Sequence, residues 1–333
     1  MPFNQLPRLY NARGELRKAG FELEYGNVGI EESVQIILDL YGGRVEVENR
    51  FLQKVVDTSL GDFTVEFDSR LLTEKNYKQL FNTFNINLQE IKLGDGTLED
   101  SVETLLENIV GKLYPYEIAT PPLVSTELNQ LEKLRQALYE HKATGTEAFP
   151  TNAYGTHINI EAPDTEPLTI LRYLQAFVLL YPWLLKEGET DLARRISPFI
   201  NPFPAAYAEL ILAPSYEPDL DSLIEDYHLH NPDRNRPLDL YPLFASLQPE
   251  RIGGYDVGKV KPRATFHYRF PNSLISQLDW TLAQEWNLWV IVEELANDPD
   301  RIDQMSREYL NLRENTLIGF EGKWRKQTEQ WLV

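Results

Sequence analysis

An α+β fold, with one sheet that carries helices on its apolar face and leaves its other face polar, is predicted by three observations. Strand-like runs crowd the first half of the chain with helical runs between them, and the chain reads as helix from about residue 273 onward. Five strand-like runs alternate apolar residues with acids, histidines or arginines, the period of two that sends each set to its own face. The composition, 42% hydrophobic and 25% charged over 333 residues, suits one large core or two smaller ones.

The elements follow in chain order. GFELEYG at 20–26 is the first strand, and a helix is expected over 30–41. Strands are predicted over 43–48, 51–58 and 62–67, then helix 73–84, strand 90–93, helix 98–111 and strand 114–119. Ser125 before TELNQLEKLRQALYEH reads as the N-cap of a helix over 126–143. Strand 154–161 precedes helix 167–186, where Pro167 fits a first helical turn. The greasiest run, QAFVLLYPWLL, is too short to cross a bilayer and is interrupted by Pro182, so it reads as a buried core helix. Residues 198–218 are Pro-rich and irregular with apolar residues throughout, which suits a long functional loop. Helices over 219–229 and 238–246, a strand over 264–270, and helices over 273–297 and 302–331 complete the chain. One domain over 1–333 with a helical C-terminal segment at about 273–331 is the expected organisation; a split near residue 165 is the alternative.

The bulk chemistry excludes several functions. A net charge of −19 disfavours general nucleic-acid and membrane-surface binding, because both partners are anionic. With no cysteine there is no disulfide framework, thiolate zinc site or cysteine nucleophile. The start, MPFNQLPRLYNARGELRK, is polar and lacks an apolar signal-peptide core, so a soluble cytoplasmic protein is expected. A homo-oligomer is left open.

The polar strand faces are chemically particular. Glu22 and Glu24 share a face of the first strand about 7 Å apart. At that distance two carboxylates repel by about 2 kcal/mol at an effective dielectric near 20. TVEFDSR puts Glu66 and Asp68 on one face, and PYEIATPPL puts Glu117 opposite Tyr116 and Ile118. YGTHINIEA groups His157, Asn159 and Glu161, and RATFHYRFP groups Arg263, Thr265, His267 and Arg269. None of these strands offers a lysine on its polar face. Carboxylates and imidazoles suit Mg²⁺ or Mn²⁺, and a bound cation removes the repulsion between paired acids. The arginines suit phosphate, whose oxygens match the guanidinium fork. A single acidic strand also suits plain solvation, and His157 alone also suits a hydrogen-bonded structural role; the recurrence over five strands favours a shared ligand face.

Other signals leave two readings each. His228 and His230 are either a metal pair or an exposed helix end. Arg194 and Arg195, just before the irregular loop, are either an anion clamp or a solvated helix end. The chain contains no GxxxxGK[ST], no GxGxxG between strand and helix, no HExxH and no GxSxG. A nucleotide would therefore be held by metal and arginine rather than by a glycine-rich loop.

GFELEYG, FTVEFDSR, YEIATPPL, YGTHINIEA and FHYRFPNSL, in that order, resemble the strand motifs of the putative amidoligase family. YHLHNPDRNRPLDLYPLF and ARRISPFINPFP are similar to further family segments, and the resemblance covers roughly residues 18–297. It implies the glutamine synthetase-like catalytic fold shared with glutamate–cysteine ligase, with a curved, mainly antiparallel sheet whose concave polar face holds divalent cations. It implies a ligase dependent on ATP and Mg²⁺ (or Mn²⁺) that joins a small-molecule or peptide carboxylate to an amine through an acyl phosphate. By the resemblance, Glu22, Glu24, Glu117 and His157 are metal ligands, and His267, at a position where relatives carry Glu, is expected as a fifth. Arg194, Arg195, Arg263 and Arg269 are expected to face the nucleotide, Arg269 as the match to the family's late arginine, and Arg269, Arg195 and Glu66 are expected to act in catalysis. Relatives usually carry Glu two residues before the late arginine, where this chain has His267; Glu66 and Asp68 lie where relatives often have Asp-Gly-Ser. A metal-dependent hydrolase of a phosphate ester or amide, and a non-catalytic member of the fold, are the alternatives.

Overall fold

The computed structural model describes residues 1–67, 115–146, 154–190 and 200–332. Its described elements are β1 (Lys18–Tyr25), α1 (Ile30–Tyr41), β2 (Arg44–Asn49), β3 (Leu52–Thr58), β4 (Gly61–Phe67), β5 (Tyr116–Ala119) and β6 (Leu123–Val124). There follow α2 (Glu132–Glu140), β7 (Thr156–Glu161), α3 (Pro167–Glu187), α4 (Ala205–Ile211), α5 (Leu220–His230) and β8 (Leu238–Asp239). The chain closes with α6 (Tyr241–Leu247), α7 (Pro249–Gly253), β9 (Thr265–Tyr268), α8 (Leu282–Ala296), α9 (Pro299–Glu314) and α10 (Phe320–Trp331). The predicted helices 73–84 and 98–111 and strand 90–93 lie outside the described residues.

The class is α+β, as the alternation predicts. The nine described strands form one antiparallel sheet in the order β2-β3-β4-β5-β1-β7-β9-β8, with β6 paired to the start of β1. β1 sits near its middle, between β5 and β7, and only Lys18 of its eight residues is exposed. Such a strand needs apolar packing on one side and satisfied polar groups on the other.

Helices cover the apolar side. Tyr173 of α3 stacks on Phe266 of β9 with centroids 4.6 Å apart, and Trp289 of α8 lies 5.3 Å from Tyr268. Tyr41 of α1 stacks on Phe63 of β4 at 5.4 Å. Trp324 of α10 is fully buried and donates Nε1–H to the Leu179 carbonyl at 2.7 Å, which joins the C-terminal helix to α3. Each large side chain so buried contributes about 1.5–3 kcal/mol of transfer free energy. Arg17, also fully buried, meets Glu293 of α8 through both terminal nitrogens at 2.8 and 2.7 Å.

Several boundaries differ from expectation for local reasons. The predicted helix 238–246 is a two-residue strand followed by α6, because Pro242 is tolerated only in a first helical turn. The predicted helix 273–297 begins at Leu282, where Thr281 and Gln284 form a capping box. The predicted helix 302–331 is two helices, α9 and α10, broken at Gly319, whose φ of 73° is left-handed. Ser125 is not the predicted cap; a 3₁₀ turn at Leu128–Leu131 precedes α2, and Ser125 N–H donates to the Arg17 carbonyl. The segment 198–218, expected to be irregular, contains α4. α3 continues through Pro182, so the proline does not interrupt it. At 21 residues α3 as a whole meets the length and composition of a membrane span, but 56% of its most apolar window is buried in the protein, in keeping with the buried core helix expected of its greasy run.

Candidate functional site

Register brings the polar faces of separate strands into rows. Glu24 of β1 opposes Glu117 of β5, and Glu117 opposes Glu66 of β4. Glu22 opposes His157 of β7. Asn159 of β7 opposes His267 of β9, and His267 opposes Asp239 of β8. Directly opposed residues share a face, so the predicted polar faces merge into one.

This face is not open to water at its centre. Relative exposures are 7% for Glu22, 8% for Glu24, 4% for Glu117, 3% for His157 and 2% for His267. Three acids in one row, about 5 Å apart across neighbouring strands, repel by about 3 kcal/mol per adjacent pair at an effective dielectric near 20. Glu66 is the half-buried end of that row.

Glu22 is the hub. Its Oε1 accepts from Asn159 Nδ2 at 2.9 Å and from Arg263 Nη1 at 3.0 Å. His157 Nδ1 lies 3.0 Å from its Oε2, and His267 Nε2 lies 3.4 Å from the same oxygen. Glu24 Oε2 accepts from the Gly155 N–H at 2.6 Å, while its Oε1 stands 3.6 Å from His157 Nε2. In its Nδ1–H tautomer His157 donates to Glu22 and turns an Nε2 lone pair toward Glu24, whereas in its Nε2–H tautomer the lone pair on Nδ1 faces Glu22.

The charge states follow from these contacts. Burial pushes the pKa of His157 down to about 3, against the raising effect of its bond to Glu22, with Arg269 adding to the fall. Burial alone would raise Glu22, but the imidazoles of His267 and His157 outweigh it and hold the carboxyl well below its ordinary range. Asp239 behaves likewise: burial is outweighed by His267 and then Arg234, and its pKa is lowered. A neutral His157 among carboxylates is the protonation state that a metal requires.

Two groups of ligand atoms each lie within 4.8 Å of one another: Glu22, His157 and His267, and Glu24, Glu117 and His157. These residues fit a divalent cation. Among the described residues His267 Nε2 is buried without a hydrogen-bond partner, as is Asn159 Oδ1, and the donors are the carboxylates and imidazoles that such ions take. His157 is common to both groups, and a neutral ring has one lone pair, so it serves one group at a time.

All five residues expected as metal ligands are thus brought together. Arg263, expected at the nucleotide, pairs with Glu22 and keeps a buried Nε–H without an acceptor. Arg269 donates from Nη1 to the Arg234 carbonyl. Glu66 is in the acidic row but outside both ligand groups. Arg194, Arg195 and Asp68 lie outside the described residues. His228 and His230 do not form a metal pair among the described residues: His228 stacks on Tyr255 at 3.7 Å and bonds the Tyr241 hydroxyl, and His230 lies against Tyr207.

Asp239 and Arg234 join the site without being marked by the sequence pattern. Asp239 is fully buried, accepts from Arg234 Nε at 3.0 Å and from the Tyr241 N–H at 3.0 Å, and lies 3.4 Å from His267 Nδ1. Its only local signal is the alternation Leu238-Asp239-Leu240, too short to separate a strand from a helix start.

Compared with known families, the chain matches over residues 15–291 a family model described as a putative amidoligase enzyme. No curated protein and no solved structure matches it.

Proposed function

On the premise that the chain belongs to the putative amidoligase enzyme family, we propose that it is an ATP-dependent carboxylate–amine ligase that uses Mg²⁺ or Mn²⁺. The observation that carries this reading is the pair of buried carboxylate–imidazole groups, Glu22–His157–His267 and Glu24–Glu117–His157, on the central strands. Phosphoryl transfer needs positioning and charge neutralisation more than covalent help from the protein, and such groups supply both.

Each residue then has a task. The five ligands would hold divalent cations, which with ATP supply Lewis acidity and the phosphoryl group that activates a carboxylate toward an amine. The buried Nε–H of Arg263 is a donor for an anionic oxygen, and its Nη1 holds Glu22 in place. Arg269, at the end of β9, is the second cation for phosphate oxygens. Asn159 orients Glu22 through Nδ2. Glu66, at the half-buried end of the acidic row, would act as a catalytic carboxylate beside the ligand groups. Small-molecule or peptide carboxylates and amines are the proposed substrates, and the charge of −19 argues against nucleic-acid and membrane partners.

The test is ADP release with panels of carboxylates and amines, comparing the wild type with Glu22→Gln and Arg269→Ala. Loss of Arg269 should lower turnover about a hundredfold or more, as for other transition-state donors. Variants as active as the wild type would remove these residues from the mechanism. A melting shift with metal alone and none added by a non-hydrolysable ATP analogue would favour metal-dependent hydrolysis instead.

A further inference from the structure

The two ligand groups differ in composition. Glu24–Glu117–His157 offers two carboxylates and one imidazole; Glu22–His157–His267 offers one carboxylate and two imidazoles. We propose that the Glu22–His157–His267 group selects a first-row transition ion such as Mn²⁺ over Mg²⁺. The inference deepens the ligase reading by naming the ion, and it rests only on the part of that reading that places cations here.

Three features carry it. First, Mg²⁺ takes oxygen ligands and sheds its waters reluctantly, whereas imidazole nitrogen suits Mn²⁺ and the later ions of the row. Two imidazoles with one carboxylate is the ligand set typical of transition-metal sites.

Second, His267 Nε2 is aimed and unspent. The residue is 2% exposed, Nε2 has no hydrogen-bond partner among the described residues, and it stands 3.4 Å from Glu22 Oε2. A lone pair against a carboxylate oxygen inside a protein is unfavourable unless a proton or a metal ion lies between them.

Third, the ring is held from behind. Asp239 Oδ2 lies 3.4 Å from His267 Nδ1, a contact that favours the Nδ1–H tautomer and with it a lone pair on Nε2. Asp239 is itself fixed by Arg234 Nε and by the Tyr241 N–H. A carboxylate behind a histidine sets the tautomer and raises the basicity of the free nitrogen toward a metal.

The experiment uses the full chain without nucleotide. Calorimetric titrations with Mn²⁺ and with Mg²⁺ are compared for the wild type, His267→Glu and His267→Asn, with melting curves to confirm that each variant folds. Pulsed electron paramagnetic resonance of the Mn²⁺-loaded proteins counts imidazole nitrogens on the ion. The wild type should prefer Mn²⁺, its preference should fall by about tenfold or more in both variants, and two imidazole couplings should become one. An unchanged Mn²⁺/Mg²⁺ ratio in both variants, or a single imidazole coupling in the wild type, overturns the inference and leaves the ligase reading standing. The second of those outcomes would mean that a proton, not a metal, joins His267 to Glu22. If neither ion binds, the inference and the cation part of the ligase reading fall together.

Discussion

His267 Nδ1 lies 3.4 Å from Asp239 Oδ2, and the contact directs the other ring nitrogen at Glu22. Asp239 touches no predicted ligand except this histidine, so it acts through His267 as a positioning residue. Asp239→Asn should weaken Mn²⁺ binding about 10- to 100-fold while the ligand residues stay in place. A titration that gives the wild-type dissociation constant for this variant would remove the positioning role.

Glu117 stands between Glu66 and Glu24 in one row of opposed residues. Glu117→Gln should abolish most of the rise in melting temperature that Mn²⁺ or Mg²⁺ gives the wild type. That rise corresponds to about 2.7 kcal/mol at an ion concentration a hundred times the dissociation constant. A variant with an undiminished metal-dependent shift would place the cation elsewhere.

Acid should destabilise the metal-free protein early. His157, with a pKa of about 3 in the fold and an ordinary value near 6.5 when unfolded, is neutral in both states above about pH 6.5. Below that, the unfolded chain takes up a proton that the fold resists, so stability falls as pH drops toward 3. Glu22 acts in the same direction: its lowered pKa stabilises the fold above the ordinary carboxylate range and that contribution is lost on acidification. Urea midpoints at pH 7, 6, 5 and 4 measure the slope, which should flatten between pH 6.5 and 5 in His157→Gln. An equal slope in that variant would show that another group titrates.

Arg17 and Glu293 form a bidentate pair at zero exposure, and Glu293 also accepts from the Tyr173 hydroxyl at 3.1 Å and Trp289 Nε1 at 2.9 Å. Arg17→Met leaves a buried carboxylate without its counter-ion and should cost about 3–5 kcal/mol in chemical denaturation. Adding Glu293→Leu should recover only part of that, because the Tyr173 and Trp289 donors then lose their acceptor. Full recovery in the double variant would show that the ion pair alone mattered.

How much of this was legible beforehand divides along residue lines. Glu22 with Glu24, and His157 with Asn159, were readable as shared faces, because a strand's period of two is local. His267 was readable as a polar-face residue of its strand for the same reason. Asp239 and Arg234 were not, since a two-residue strand leaves no periodic trace. The helical pattern of 302–331 resumes after Gly319 and so predicts one helix, whereas the left-handed backbone that breaks it is a matter of conformation.

By itself, then, the sequence determined which side chains within each strand face the same way, and that carboxylates and imidazoles recur on those faces. Only the tertiary structure decided which strands are neighbours and in what register. Arg263 reaches Glu22 across 241 positions of chain, and His267 meets Asp239 only because β8 and β9 pair. Local periodicity follows from the backbone of a few residues, whereas strand pairing follows from the packing of the whole apolar face, and no short stretch of sequence contains that.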